Sequence, residues 1–215
     1  MIAFTTNIAK YATFVFLLYI IFSFTEFVVH KYLMHGPKTE YNLLSNNHWN
    51  HHEHTLNNME LKKNQNYNSK INKYLGLYFV WSYSCIVFIV GLSEGFALYI
   101  VLRMGDIQIE PWVVVITVLL FSIYQSSFWN TVHPDIHNIS ENITIYEGIP
   151  GWDGWKRAFT AITVDNDRKM TLYDWFKQNH TLHHSRKGAK KGNYNVTLPG
   201  ADWILGTMYD GQDDL

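Results

Sequence analysis

Apolar residues in this chain are concentrated in three long runs that are almost free of charge. The runs extend over Tyr11–Val29, Tyr74–Leu92 and Pro111–Trp129, each of 19 residues, and Glu26 is the only charged residue within them. An α-helix needs about 20 residues to cross the hydrocarbon layer of a bilayer. The pattern therefore predicts three membrane-spanning helices.

A fourth apolar piece, Phe96–Leu102, is too short to cross a bilayer and has charges at Glu94 and Arg103 close to its ends. We expect this piece to be interfacial or re-entrant, which gives about three to four transmembrane helices in all. The polar segments at about 36–73 and 134–215 are then predicted to form a helical cap on one side. The fold class predicted is an all-α integral membrane protein, with residues 1–215 in one domain.

Histidine is distributed unevenly, because ten of the eleven histidines fall into four short clusters. The clusters are HKYLMH with His30 and His35, HWNHH with His48, His51 and His52, HPDIH with His133 and His137, and HTLHH with His180, His183 and His184. Residues i, i+3 and i+4 of an α-helix share one face, so the histidines within each of the last three clusters converge. Those of the first cluster are roughly 140° apart on an ideal helix, and we expect them to straddle a metal ion at a helix end.

Four clusters of this kind predict a site for two metal ions. Imidazole is the commonest metal ligand, and two ions of five or six coordination need on the order of ten ligands. His54 lies off the shared face of its cluster and is not counted as a ligand. Glu26 and Asp135 are candidates to accept the second N–H group of a ligand histidine. Asp202 is expected to cap a short helix that begins near Trp203.

Several other metal chemistries do not fit the sequence. Glu53 is followed directly by His54, so the HExxH motif of zinc proteases is absent. Cys85 is the only cysteine, which excludes a cysteine-based zinc or iron–sulfur site within the chain. The Glu-x-x-His pair of soluble ferritin-like di-iron proteins is also absent. The predicted site is therefore an all-histidine one.

Composition and charge support a membrane location and suggest an orientation. Charged residues make up 16% of the chain, whereas soluble domains have about 25%. Of the 17 lysines and arginines, 15 lie on the histidine-bearing side, which places that side in the cytoplasm by the positive-inside rule. The endoplasmic reticulum and the bacterial inner membrane both satisfy this topology, and the first run is expected to be retained as an anchor. A net charge of −1 gives no indication of nucleic-acid binding.

The ordered histidine clusters, together with the tail KGNYNVTLPGADWILGT, resemble the fatty acid hydroxylase and sterol desaturase superfamily of membrane-bound di-iron oxidoreductases. The resemblance extends from about Thr25 to Thr207; the tail favours the hydroxylase branch, and FTEFVVHKYLMHG is also similar to carotenoid hydroxylases. It implies a non-haem di-iron centre that activates dioxygen and takes two electrons from a separate donor of the cytochrome b5 or ferredoxin type. It further implies hydroxylation of a fatty acyl, sterol or carotenoid lipid. The ligands that it implies are His30, His35, His48, His51, His52, His133, His137, His180, His183 and His184.

Two alternatives stay open at this point. One is a lipid desaturase of the same di-iron type. The other is a non-catalytic membrane metal-binding protein, or a zinc-dependent relative, because histidine binds zinc as readily as iron. For the same reason, zinc is an alternative to iron in the metal site of the purified or crystallised protein.

Overall fold

The computed structural model of the protein describes residues 2–62, 81–138, 145–146, 149–150, 154–185 and 191–211. Its helices are α1 (Ile2–Val28), α2 (Leu43–His54), α3 (Trp81–Met104), α4 (Pro111–Ile136), α5 (Gly154–Thr160), α6 (Leu172–His184) and α7 (Ala201–Ile204). A π-helical turn, Val29–Met34, continues α1. Four short strands, β1 (Ile145–Tyr146), β2 (Ile149–Pro150), β3 (Thr163–Asp165) and β4 (Met170–Thr171), form two antiparallel pairs, β1 with β2 and β3 with β4. The described part of the chain is thus mainly helical, with two small hairpins that the all-α prediction did not include.

Within the described residues, three helices are long and apolar enough to cross a membrane. The qualifying segments are Ile8–Met34, Tyr83–Met104 and Pro111–Ile136. The first and third predicted runs lie inside the first and third of these helices. Both helices continue beyond the predicted C-terminal ends of the runs. Of the second predicted run, residues 74–80 lie outside the described residues, and the rest belongs to α3.

The prediction that Phe96–Leu102 is a separate interfacial or re-entrant piece is wrong, because α3 is one continuous helix through this segment. Two features explain why the polar and glycine positions there do not end the helix. The hydroxyl of Thr25 donates a hydrogen bond to Glu94 Oε1, at 2.5 Å, so this carboxyl has a partner on α1. Gly95 faces α4, where an added Cβ would lie 2.9 Å from Val114, so the missing side chain permits close helix packing.

The three long helices share one apolar core and expose an apolar outer surface. Phe14, Leu18, Val114 and Val118 are fully buried between the helices. Large apolar side chains nevertheless cover the outside of the bundle, as expected for helices that face hydrocarbon. Examples are Phe16, Ile89, Val101, Trp112 and Leu120.

The two helices that carry the HxxHH motifs begin at side-chain caps. The Asn42 side chain accepts a hydrogen bond from the Ser45 amide, which starts α2. Thr171 and Asp174 form a reciprocal capping box at the start of α6. A second apolar cluster includes Phe128 of α4, Phe159 of α5 and Phe176 of α6. It packs the C-terminal part of α4 against α5 and α6.

Candidate metal centre

The first histidine pair is brought together by the π-helical turn. The His35 amide donates to the His30 carbonyl oxygen at 2.9 Å, which is the i to i+5 bond of a π-helix. Residues five apart therefore share one face here, and the two imidazole rings lie 5.1 Å apart. The pair thus lies at a helix end and in one candidate metal group, as expected, but the ideal-helix separation of 140° is corrected by this wider turn. Gly36 follows directly, and a Cβ at this position would lie 2.5 Å from the Tyr32 carbonyl oxygen.

The clustered histidines converge into two groups, as predicted. Group A consists of His30, His35, His48, His52 and His183, and group B contains His51, His137, His180 and His184. Within each group the candidate ligand atoms all lie within 4.8 Å of one another. His133 adjoins group B, since its Nε2 atom is 3.0 Å from that of His180. We include it in group B, so that each group has five imidazoles.

Spacing between the ring nitrogens supports a metal ion in each group. His48 Nε2 lies 2.9 Å from the Nε2 atoms of His30 and His35 and 3.1 Å from that of His52. A ring nitrogen has either one proton or one lone pair, so it cannot form three such hydrogen bonds at once. Two nitrogens that each lie about 2.0–2.1 Å from one ion, at right angles, are in contrast about 2.9 Å apart. The donor set therefore fits a bound cation.

Group B has the same arrangement around His180. The His180 Nε2 atom lies 3.0 Å from that of His133 and 3.1 Å from those of His137 and His184. Again, one ring nitrogen has three neighbours of its own kind. Both groups thus fit one metal ion each, and the identity of the metal does not follow from the donor set alone.

Ring positions show how the five imidazoles are arranged in each group. In group A, the His48 and His183 rings are 6.2 Å apart, whereas each lies 4.5–4.9 Å from the rings of His30, His35 and His52. In group B, the rings of His51 and His180 are similarly opposed, at 6.5 Å. In each group, five imidazoles would therefore surround an ion, with two of them on opposite sides of it. Among the described residues, no imidazole lies opposite His35 or opposite His137.

The middle histidine of each HxxHH motif belongs to the other group. His48 and His52 lie in group A, whereas His51, between them, lies in group B. The same exchange occurs on α6, where His180 and His184 belong to group B and His183 belongs to group A. The two groups are therefore linked through both helices. His52 and His184 lie between them, with their rings stacked at 4.0 Å.

Backbone carbonyl groups accept the second N–H group of three histidines. His30 Nδ1 donates to the Tyr194 oxygen at 2.5 Å, and His183 Nδ1 donates to the Gly192 oxygen at 2.9 Å. His137 Nδ1 donates to the Met59 oxygen at 2.9 Å. These bonds fix the tautomer that leaves a lone pair on Nε2. Sequence reasoning missed all three acceptors, because a backbone carbonyl gives no residue-type signal.

Glu26 does not accept from a histidine among the described residues, which corrects that prediction. It is buried and accepts from the Thr197 amide at 2.8 Å, the Thr197 hydroxyl at 2.7 Å and the Leu198 amide at 2.9 Å. The Asn195 side chain also donates to it, at 3.3 Å. Glu26 therefore fixes the tail next to Tyr194, the residue that accepts from His30.

Asp202 and Asp135 also differ from their predicted roles. Asp202 lies inside α7 and does not cap it; its carboxylate accepts from the Asn195 amide at 2.5 Å and from Thr207 at 2.6 Å. Asp135 accepts from Lys156 at 2.9 Å and from the Tyr173 hydroxyl, and no described histidine donates to it. His54 lies outside both groups, as predicted, and its ring contacts the Asn50 carbonyl oxygen.

Burial keeps those imidazoles of the two groups that lie outside the spanning segments neutral. It lowers the pKa of His35 to about 2, with a further contribution from His183, and lowers the pKa of His137 and His183 to about 4. Burial also holds the pKa values of His48, His51, His52, His180 and His184 well below the ordinary value. A neutral imidazole has the lone pair that a metal ion requires.

An apolar cleft between the three long helices leads to the histidine groups. It has a cavity volume of about 150 Å³, and its walls include Phe22, His30, Val87, Val90, Phe121 and Trp129. His30 belongs to group A, and Trp129 packs against His133 of group B, with ring centres 4.3 Å apart. The cleft therefore borders group A directly through His30, and Trp129 connects its wall to His133 of group B.

Comparison with models of known protein families, with curated proteins and with solved structures gives no match.

Proposed function

We propose that the protein is a membrane-bound oxidoreductase that hydroxylates a C–H bond of a lipid at a di-iron centre. The observation that carries this proposal is the pair of adjoining histidine groups beside an apolar cleft between the helices, with His30 of group A in the wall of the cleft. The series of histidine motifs is similar to that of the fatty acid hydroxylase and sterol desaturase superfamily, which supports the same conclusion.

The histidines that would hold two iron ions are the five of group A and the five of group B. Iron bound there would supply the reduction of dioxygen and the oxidation of an unactivated C–H bond. One oxygen atom of dioxygen enters the lipid as a hydroxyl group. The other is reduced to water, which consumes two electrons and two protons. The electrons come from a separate donor protein of the cytochrome b5 or ferredoxin type.

The chain's own residues would perform three tasks in this reaction. Neutral imidazoles, of which His30, His137 and His183 donate to backbone carbonyl oxygens, would hold the ions. Phe22, Val90 and Phe121 provide an apolar path by which a lipid chain reaches His30 from the bilayer. The end of the bundle that carries the histidines faces the cytoplasm in this proposal, where the electron donor has access.

The proposal is tested by expressing the chain in a host that lacks lipid hydroxylases and comparing lipids by mass spectrometry. Two matched variants are compared. His183→Ala removes a histidine of group A, and His54→Ala removes a histidine outside both groups. We expect a lipid that gains one oxygen atom with the wild type and with His54→Ala, but not with His183→Ala. A product that lacks two hydrogen atoms instead would assign desaturation.

A non-catalytic metal-binding protein is the second candidate, favoured by the all-imidazole donor set, which binds zinc as well as iron. In that case both variants retain the same lipid profile as the wild type. His183→Ala would then change only the metal content of the purified protein.

A further inference from the structure

The apolar cleft contains one carboxyl group that the histidine centre does not use. Glu94 lies on α3, near the middle of a segment long enough to span the membrane. Its Oε1 atom accepts from Thr25, but its Oε2 atom is buried and has no hydrogen-bond partner among the described residues. Ionisable groups within a membrane are costly and are commonly associated with a substrate or an ion.

Three other polar side chains of the lining, those of Thr25, Ser122 and Glu26, have their own bonds within the protein. Thr25 donates to Glu94, and Ser122 donates to the Val118 carbonyl oxygen of its own helix at 2.9 Å. The carboxylate of Glu26 accepts hydrogen bonds from the backbone and the hydroxyl group of Thr197 in the tail. Gln125 is the remaining polar residue of the lining. Glu94 thus offers the one oxygen in the described lining that is both buried and without a partner.

Distance along α1 relates Glu94 to the histidine centre. Thr25, which contacts Glu94, precedes His30 by five residues, or roughly 7 Å at about 1.5 Å per residue. Both Glu94 and His30 line the same cleft. Ile86 and Val90 also line it while being partly exposed on the outer surface of the bundle, so the cleft opens sideways toward hydrocarbon. A lipid chain in the cleft would meet both groups.

We propose that Glu94 is a specificity-determining residue that binds a hydroxyl group carried by the lipid in the cleft, about 7 Å along the helix axis from His30. A hydroxyl group both donates and accepts, so it bonds to a carboxyl group in either protonation state. A hydroxyl group that reaches Oε2 gains a hydrogen bond to a buried oxygen that has no other partner, whereas a purely hydrocarbon chain gains none. The preferred substrate is therefore an alcohol-bearing lipid. This inference rests on the proposed function for the identity of the reaction, but not for the binding preference.

Competition between two matched lipids in native mass spectrometry tests the preference without turnover. The detergent-purified, metal-loaded chain is incubated without oxygen with equal amounts of cetyl alcohol and perdeuterated heptadecane, which have the same number of heavy atoms. We expect the wild type to bind the alcohol about tenfold more tightly, equivalent to about 1.4 kcal/mol. In Glu94→Leu the two ligands should bind equally.

Three further variants make the test specific. Glu94→Gln, which keeps hydrogen-bonding atoms in place, should retain most of the preference and shows that the fold tolerates a change at this site. Gln125→Leu and Ser93→Ala should retain it fully; Ser93 donates to the Ile89 carbonyl oxygen and does not line the cleft. Equal binding in the wild type, a preference that survives Glu94→Leu, or one that is lost only in Gln125→Leu would overturn the assignment. A missing lipid product would affect only the proposed function.

Discussion

His51 and His183 exchange places between the two histidine groups. Each is the middle one of the three histidines in an HxxHH motif, and each lies with the first and last histidines of the other motif. The grouping predicts an unusual pattern for double variants. His52→Ala with His183→Ala removes two ligands of group A, so one metal ion per chain should remain. His183→Ala with His184→Ala removes one ligand from each group, and both sites should bind metal more weakly.

Metal titration of the two double variants, after size-exclusion chromatography, distinguishes these outcomes. If the His183/His184 variant kept one site of wild-type affinity while the His52/His183 variant lost both, the exchange would be wrong.

Gly192→Ala should weaken metal binding in group A. A Cβ at Gly192 would lie 1.7 Å from the Thr207 carbonyl oxygen, so the backbone has to move. The Gly192 carbonyl oxygen accepts from His183, and its displacement releases that ring. Loss of such a partner typically costs 10–100-fold in metal affinity. Gly105→Ala is the matched control, because its Cβ would make an ordinary contact at 3.4 Å. Equal affinity in the two variants would contradict this role of Gly192.

Glu26→Gln should also act on group A, although Glu26 contacts no described histidine. The substituted amide places an NH₂ group where Glu26 now accepts from the backbone of Thr197 or Leu198. Losing bonds to a buried group costs on the order of 1–3 kcal/mol. We expect a lower thermal midpoint and weaker binding of one of the two ions. Asp135→Asn is the control, because Asp135 lies in the HPDIH motif and should leave metal binding in group A unchanged. A similar effect of both variants on group A would contradict this role of Glu26.

Acid should destabilise the metal-free protein between pH 6.5 and about 4. Burial lowers the pKa of His137 and His183 to about 4, whereas the ordinary value is 6.5. Between these values the unfolded chain binds more protons than the folded chain, so the free energy of unfolding falls as the pH decreases. Above pH 6.5 these two groups contribute no slope. Thermal unfolding of the metal-free protein across this range measures the effect, and His183→Asn should reduce it. A flat profile would show that the imidazoles are not buried as described.

Sequence alone was sufficient for much of the site. Hydropathy identifies the three long helices, and the helical spacing of histidines identifies the members of each cluster. The assignment of His51 and His183 to opposite groups could not be predicted, because it depends on how α2 and α6 approach one another. The π-helical turn at His30 was missed for a related reason, since a period of 3.6 residues assumes an ordinary α-helix.

The error at Phe96–Leu102 has a different cause. Glu94 and Gly95 were taken as the boundary of an apolar run, but in the folded protein Thr25 contacts the carboxyl group and α4 packs against the glycine. Both contacts come from distant parts of the chain. Glu26 shows the same limit, because its acceptor role toward Thr197 links residues 171 positions apart.

Metal content of the purified wild-type chain tests the central claim most directly, that two groups of five histidines each hold one ion. The chain is loaded with ferrous iron without oxygen, desalted and analysed by inductively coupled plasma mass spectrometry against protein concentration. We predict two ions per chain for the wild type and for His54→Ala. One ion or fewer per chain in the wild type would contradict the account.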